Sequence, residues 1–99
     1  MWKEKTMESI IQRNKECYKC RTTIGLHSHH CFEGRNRQNS EKYGLKVWLC
    51  GRHHNLSNEG VHFNKEFDLE LKQLAQTKFC EYYNKTDDDF IKIFRRNYK

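Results

Sequence analysis

The 99-residue chain has no proline, only five glycines and no long apolar run. Without proline it has no rigid extended spacer, and no low-complexity tract or internal repeat takes its place. It therefore reads as a single domain spanning residues 1–99. No run is apolar enough for a signal peptide or a membrane span, so the expected setting is the cytoplasm, with no membrane partner. Hydrophobic residues are also scarce, at 35% with a mean hydropathy of -1.11. So small and polar a domain has little surface to bury against the entropy of ordering its backbone, and such domains usually carry a staple.

Five cysteines are an odd number. In a reducing compartment that argues against a disulfide framework and for metal ligation or simple burial. The net charge of +6 is uneven: residues 1–50 hold ten Lys/Arg against five Asp/Glu, and residues 51–99 hold nine against eight. The basic excess thus sits in the half that contains HSHHCFEGRN, residues 27–36, where three histidines and a cysteine fall in five positions. A basic face of this kind suits a nucleic-acid partner or is simply solvated.

Periodicity gives a coarse fold. Residues 3–15 carry a weak apolar stripe at Met7, Ile10 and Ile11 and predict an N-terminal helix. Leu26–Phe32 and Leu45–Leu49 alternate apolar and polar positions, which predicts a β-hairpin joined by a long basic loop. Asn64 is a good N-cap for a helix over 65–83, with apolar residues at Phe67, Leu71, Leu74, Ala75 and Phe79. Thr86 and Asp89 have the spacing of a capping box and open a last helix through Phe90, Ile93 and Phe94. Tyr82 joins these aromatics as an expected core residue.

Cys17-Tyr-Lys-Cys20 is a C-x-x-C pair, and Cys50-Gly-Arg-His53 is a C-x-x-H pair. Two such close pairs can supply the four ligands of a tetrahedral Zn²⁺, one from a knuckle turn and the other from the start of a helix. Ligation of this kind can contribute about 10 kcal/mol or more to the folding of a small zinc module. Cys31 and Cys80 are expected to be unligated thiols. His27, His29, His30, His54 and His62 remain outside this set, enough for a second metal site beside the first.

Cys17-x-x-Cys20, His29-His30, Leu49-Cys50-x-x-His53-His54 and His62 together resemble the HNH nuclease family, in its zinc-containing subgroup common among small phage-encoded proteins. The segment SEKYGLKVWLCGRHHN followed by GVHFN looks like that of the same phage proteins. The resemblance covers residues 17–64. It implies a zinc-stapled, treble-clef-like ββα-metal unit; with the N-terminal helix and the two C-terminal helices over 65–99 read from periodicity, the expected fold class is α+β. It also implies hydrolysis of DNA phosphodiester bonds with one catalytic divalent ion, Mg²⁺ or another. His30 would be the general base, and His29, His54 and His62 the ligands of that ion. The asparagine of the family name has no counterpart directly before the second strand, where Tyr43, Gly44 and Leu45 stand. Asn39 or Asn36 could pin the loop instead, and Asn55 or Asn58 rivals His62 as the last ligand.

Chemistry supports these residue types independently. Phosphodiester hydrolysis needs a base for water and a cation for the developing oxyanion, and histidine can serve as the base near neutral pH. Arg35 and Arg37 suit forked hydrogen bonds to phosphate oxygens, with Lys42 and Lys46 as further contacts. The sequence therefore suggests a metal-dependent DNA endonuclease or nickase. The competing reading is a non-catalytic zinc module that binds nucleic acid or a protein partner, for example in a phage or host recombination or packaging complex.

Overall fold

The computed structural model describes residues 8–57 and 60–99. Among them run β1 (Leu26–His30), α1 (Arg37–Tyr43), β2 (Lys46–Cys50), α2 (Gly51–His54), α3 (Lys65–Tyr83) and α4 (Asp87–Phe94). Single 3-10 turns at Gly34–Asn36 and Val61–Phe63 precede α1 and α3. The architecture is α+β, four helices and one two-stranded sheet among the described residues, with a radius of gyration of 13.6 Å. No helix among them is long and apolar enough to cross a membrane.

The strands pair antiparallel with Leu26 opposite Cys50, His29 opposite Val47 and His30 opposite Lys46. Because side chains alternate across a strand, His27 and His29 share a face with the buried Val47 and Leu49, while His30 and Lys46 share the other. Beneath the hairpin Phe32, Phe79, Phe90 and Phe94 form the centre of the core, Phe90 and Phe94 stacked with centroids 4.4 Å apart. Leu71 and Ala75 of α3 complete it.

The helix over 65–83 forms as its periodicity predicts. Asn64 caps it, accepting from the Phe67 amide, and the Thr86–Asp89 capping box opens α4 with both reciprocal bonds present. Tyr82 is a correction: it is 61% exposed, one residue off the stripe that Phe79 and Tyr83 continue.

The N-terminal helix is a second correction. Residues 3–7, including Met7, lie outside the described residues, and residues 8–15 form no helix. Ser9 Oγ accepts from the Ile11 and Gln12 amides and donates to Lys46 O at 2.5 Å. Gln12 Oε1 accepts from the Trp48 amide at 2.7 Å. The free edge of β2 thus takes this segment as its partner, and the local serine bonds compete with helical ones. The basic loop also holds a helix, α1, ended by Gly44 in the left-handed conformation at φ 72°.

Gln76 is fully buried on the apolar side of α3. Its Nε2 donates to Asp87 Oδ1 (3.0 Å) and Asn97 Oδ1 (2.9 Å), and its Oε1 accepts from the Tyr98 amide (2.9 Å). It ties α4 and the tail to α3. Gln76→Leu should therefore cost about 1–3 kcal/mol in urea unfolding, because it removes the three hydrogen bonds that tie Asp87, Asn97 and the Tyr98 amide to α3; an unchanged midpoint would show that the tail carries no stability.

Candidate metal centres

The C-x-x-C knuckle is shaped by its backbone. The Cys17 amide donates to Thr22 O and the Arg21 amide to Cys17 O, both at 2.8 Å, with Arg21 at a left-handed φ of 69° closing the turn. The Tyr18 amide donates to Trp48 O at 2.8 Å, which fastens the knuckle to β2. Cys50 ends β2 as the N-cap of α2, and His53 follows on the first turn of that helix.

These elements bring Cys17, Cys20, Cys50 and His53 together, with one potential ligand atom from each within 4.8 Å of all the others. Cys20 Sγ lies 3.7 Å from Cys50 Sγ, and His53 Nδ1 lies 3.7 Å from Cys17 Sγ and 3.3 Å from Cys50 Sγ. All five cysteines are free thiols. Cys17, Cys50 and His53 are buried and Cys20 is exposed. Burial opposes ionisation of Cys17, but hydrogen bonds from the backbone of Cys50, Cys20 and Lys19 and from the Cys20 side chain outweigh it and bring the thiol down to about 6. The group can hold a metal ion. Cys31, by contrast, is completely buried away from it, and burial drives its thiol far above the ordinary range. Cys80 is half-buried near Asp87.

His29, His54 and His62 form a second group within the same 4.8 Å limit. His53 and His54 are consecutive, and a helix turns by about 100° per residue, so α2 sends one ligand to each group. His54 Nε2 lies 3.0 Å from His62 Nε2, and the His29 ring centroid is 5.4 Å from both partners' rings. His29 Nε2 is buried with no hydrogen-bond partner. An orphaned imidazole nitrogen beside two others is the condition a metal ion would relieve. Burial first, then the neighbouring histidines, lower His29 to about 3 and His54 to about 4. Both are therefore neutral near pH 7, the form that ligates.

His62 follows His54 by eight residues, and Gly60 packs against the end of α2. A Cβ on Gly60 would stand 2.7 Å from His54 O and 2.8 Å from His54 C, so only glycine permits the approach that delivers His62. Asn55 is exposed at the C-cap of α2, and its rival Asn58 lies outside the described residues.

His30 stands apart from its neighbour. On the face it shares with Lys46, its Nε2 lies 2.8 Å from Glu41 Oε1, while Lys46 Nζ donates to Glu41 Oε2 at 2.8 Å. Burial opposes the Glu41 charge, but the Lys46 and His30 hydrogen bonds hold its carboxyl below the ordinary value. Lys46 is thus engaged within the protein, whereas Arg35, Arg37 and Lys42 are exposed. The loop-pinning bonds expected of an asparagine come mainly from buried Ser40, whose Oγ donates to Phe32 O (2.8 Å) and accepts from the Phe32 amide (3.0 Å). Asn36 instead donates to Phe94 O at 2.9 Å, and Asn39 donates to Asn36 Oδ1 at 3.3 Å.

Sequence reasoning missed Glu41 and Gly60, and only the Gly60-Val-His spacing could have marked the latter. Gly60→Ala should weaken divalent-ion binding at the histidine group by about tenfold or more, read by Co²⁺ titration, while the cysteine-bearing group keeps its ion. Undiminished binding would mean that His62 needs no such approach.

No protein-family model matches the chain, and neither the curated proteins nor the solved structures contain a significant match to it.

Proposed function

We propose that the protein is a divalent-metal-dependent DNA endonuclease or nickase of the HNH type, built on a structural zinc. Cys17, Cys20, Cys50 and His53 hold the zinc, His29, His54 and His62 the catalytic ion, and His30 is the general base. The carrying observation is the separation of two ligand groups at the adjacent residues His53 and His54, with a carboxylate-backed histidine, His30, next in the chain to His29 of the second group and on the other face of the strand.

The donor sets favour different ions. Around tetrahedral zinc, bonds of about 2.3 Å to sulfur and about 2.0–2.1 Å to nitrogen separate two sulfurs by about 3.8 Å and sulfur from nitrogen by about 3.6 Å. The separations of 3.7, 3.7 and 3.3 Å in the first group are close to this. Three imidazoles suit Zn²⁺, Co²⁺ or Ni²⁺ better than Mg²⁺, which prefers oxygen ligands. Mg²⁺ is therefore the weaker choice for the second group.

The residues divide the work of hydrolysis. Arg35 and Arg37 can grip phosphate oxygens and Lys42 adds positive charge nearby, bringing the anionic backbone to the hairpin. With the Nε2 proton of His30 directed to Glu41 Oε1, its Nδ1 is the unprotonated nitrogen of the neutral ring, the one that would take a proton from water. Lys46 holds the other oxygen of Glu41, which fixes the carboxylate and through it the ring. A divalent ion on the three histidines would supply positive charge for the developing oxyanion and leaving group.

His30→Ala should cut supercoiled-plasmid cleavage by about 10² or more while leaving zinc content and DNA affinity near wild type. Cys50→Ser should lose zinc, fold and binding together. Cleavage by His30→Ala at the wild-type rate would remove the base assignment. A wild type that binds DNA yet cuts nothing with any divalent ion would favour the non-catalytic zinc module.

A further inference from the structure

Each histidine of the His29–His54–His62 group has a second ring nitrogen, and in every case that nitrogen faces another side chain. His54, whose Nε2 meets His62 Nε2, has its Nδ1 2.9 Å from His27 Nδ1. His29 Nδ1 and His62 Nδ1 both approach the same oxygen of Glu33, at 3.9 and 3.8 Å. His29 Nε2 is the buried atom left without a partner. The pattern is one of three Nε2 atoms available to the group and three Nδ1 atoms backed from outside it.

A neutral imidazole that ligates through Nε2 carries its proton on Nδ1, and an acceptor there fixes both the tautomer and the ring's orientation. We propose that His27 and Glu33 are the positioning residues of this metal site, His27 accepting from His54 Nδ1 and Glu33 serving His29 and His62. The proposal rests on the reading of the three histidines as a metal site. The present Glu33 distances are longer than hydrogen bonds, but the carboxylate is half-exposed and lies nearly equidistant from both rings, so a small rotation offers one oxygen to each.

Backbone geometry explains why these two positions do this. His27 is two residues before His29 on β1, and a strand returns to the same face every second residue. Glu33 follows Cys31 and Phe32, both buried, which anchor the chain at the strand's end and leave the carboxylate outside beside His29. Both side chains are exposed enough to be replaced without opening the core.

Co²⁺ titration of protein already carrying its tight ion in the cysteine-bearing group tests the proposal, read by calorimetry and by the visible absorption of bound cobalt. Wild type should take up one Co²⁺. His27→Ala and Glu33→Ala should each weaken it by about 10- to 100-fold without changing stoichiometry, and His54→Ala should abolish it. His27→Asn, which keeps an acceptor near the place of Nδ1, should recover most of the affinity. Wild-type affinity in both alanine variants would overturn this role and leave the metal site standing. Failure of wild type to bind any Co²⁺ would remove the site itself and this proposal with it. Uptake of two Co²⁺, falling to one in His27→Ala, would make His27 a direct ligand and also overturn the proposal.

Discussion

The convergence of Cys17, Cys20, Cys50 and His53 is the constraint from which the rest of the site follows. It joins a knuckle turn to the junction of β2 and α2 in a chain whose aromatic core lies mostly under the other end of the hairpin, around Phe32, Phe79, Phe90 and Phe94. Helix α2 is four residues long and could not hold its own orientation by helical hydrogen bonds alone. Fixing His53 therefore fixes His54, and with it the edge of the histidine group. The hairpin register then places His29 opposite Val47, and Gly60 lets the chain return close enough for His62.

The two groups differ in the way their proposed roles require. The first is made of three sulfurs and one imidazole, mostly buried and bonded to the backbone, which suits a permanently held ion. The second has three imidazoles graded from buried His29 to exposed His62, which suits an ion with coordination positions left for water and phosphate. Glu41 fastens the loop helix α1 to the other face of the hairpin. It spans His30 and Lys46, residues paired across the strands, so a loop that reads as a basic surface also carries the carboxylate behind the proposed base.

Much of this is legible in the sequence where signals are local. Asn64 and the 3.6-residue stripe mark α3, Thr86 and Asp89 mark α4, and the C-x-x-C and C-x-x-H spacings mark the first ligand group. The remainder depends on contacts between distant segments. The stripe at Ile10 and Ile11 looks helical, yet the unpaired edge of β2 binds Ser9 and Gln12 in another conformation. Gln76 reads as a polar interruption of α3 until Asp87, Asn97 and Tyr98 are seen to converge on it. His27 is marked by its two-residue spacing from His29 on one strand, but Glu41 and Glu33 carry no such signal, because their roles arise only when the hairpin closes.

The central claim is that a zinc ion with three sulfurs and one nitrogen organises both the fold and the second site. X-ray absorption at the zinc edge, on purified and dialysed protein, tests it most directly. The account predicts about three sulfur neighbours at roughly 2.3 Å and one nitrogen at roughly 2.0–2.1 Å. A shell of nitrogen and oxygen alone, or no zinc in a protein that is nonetheless fully folded, would contradict it.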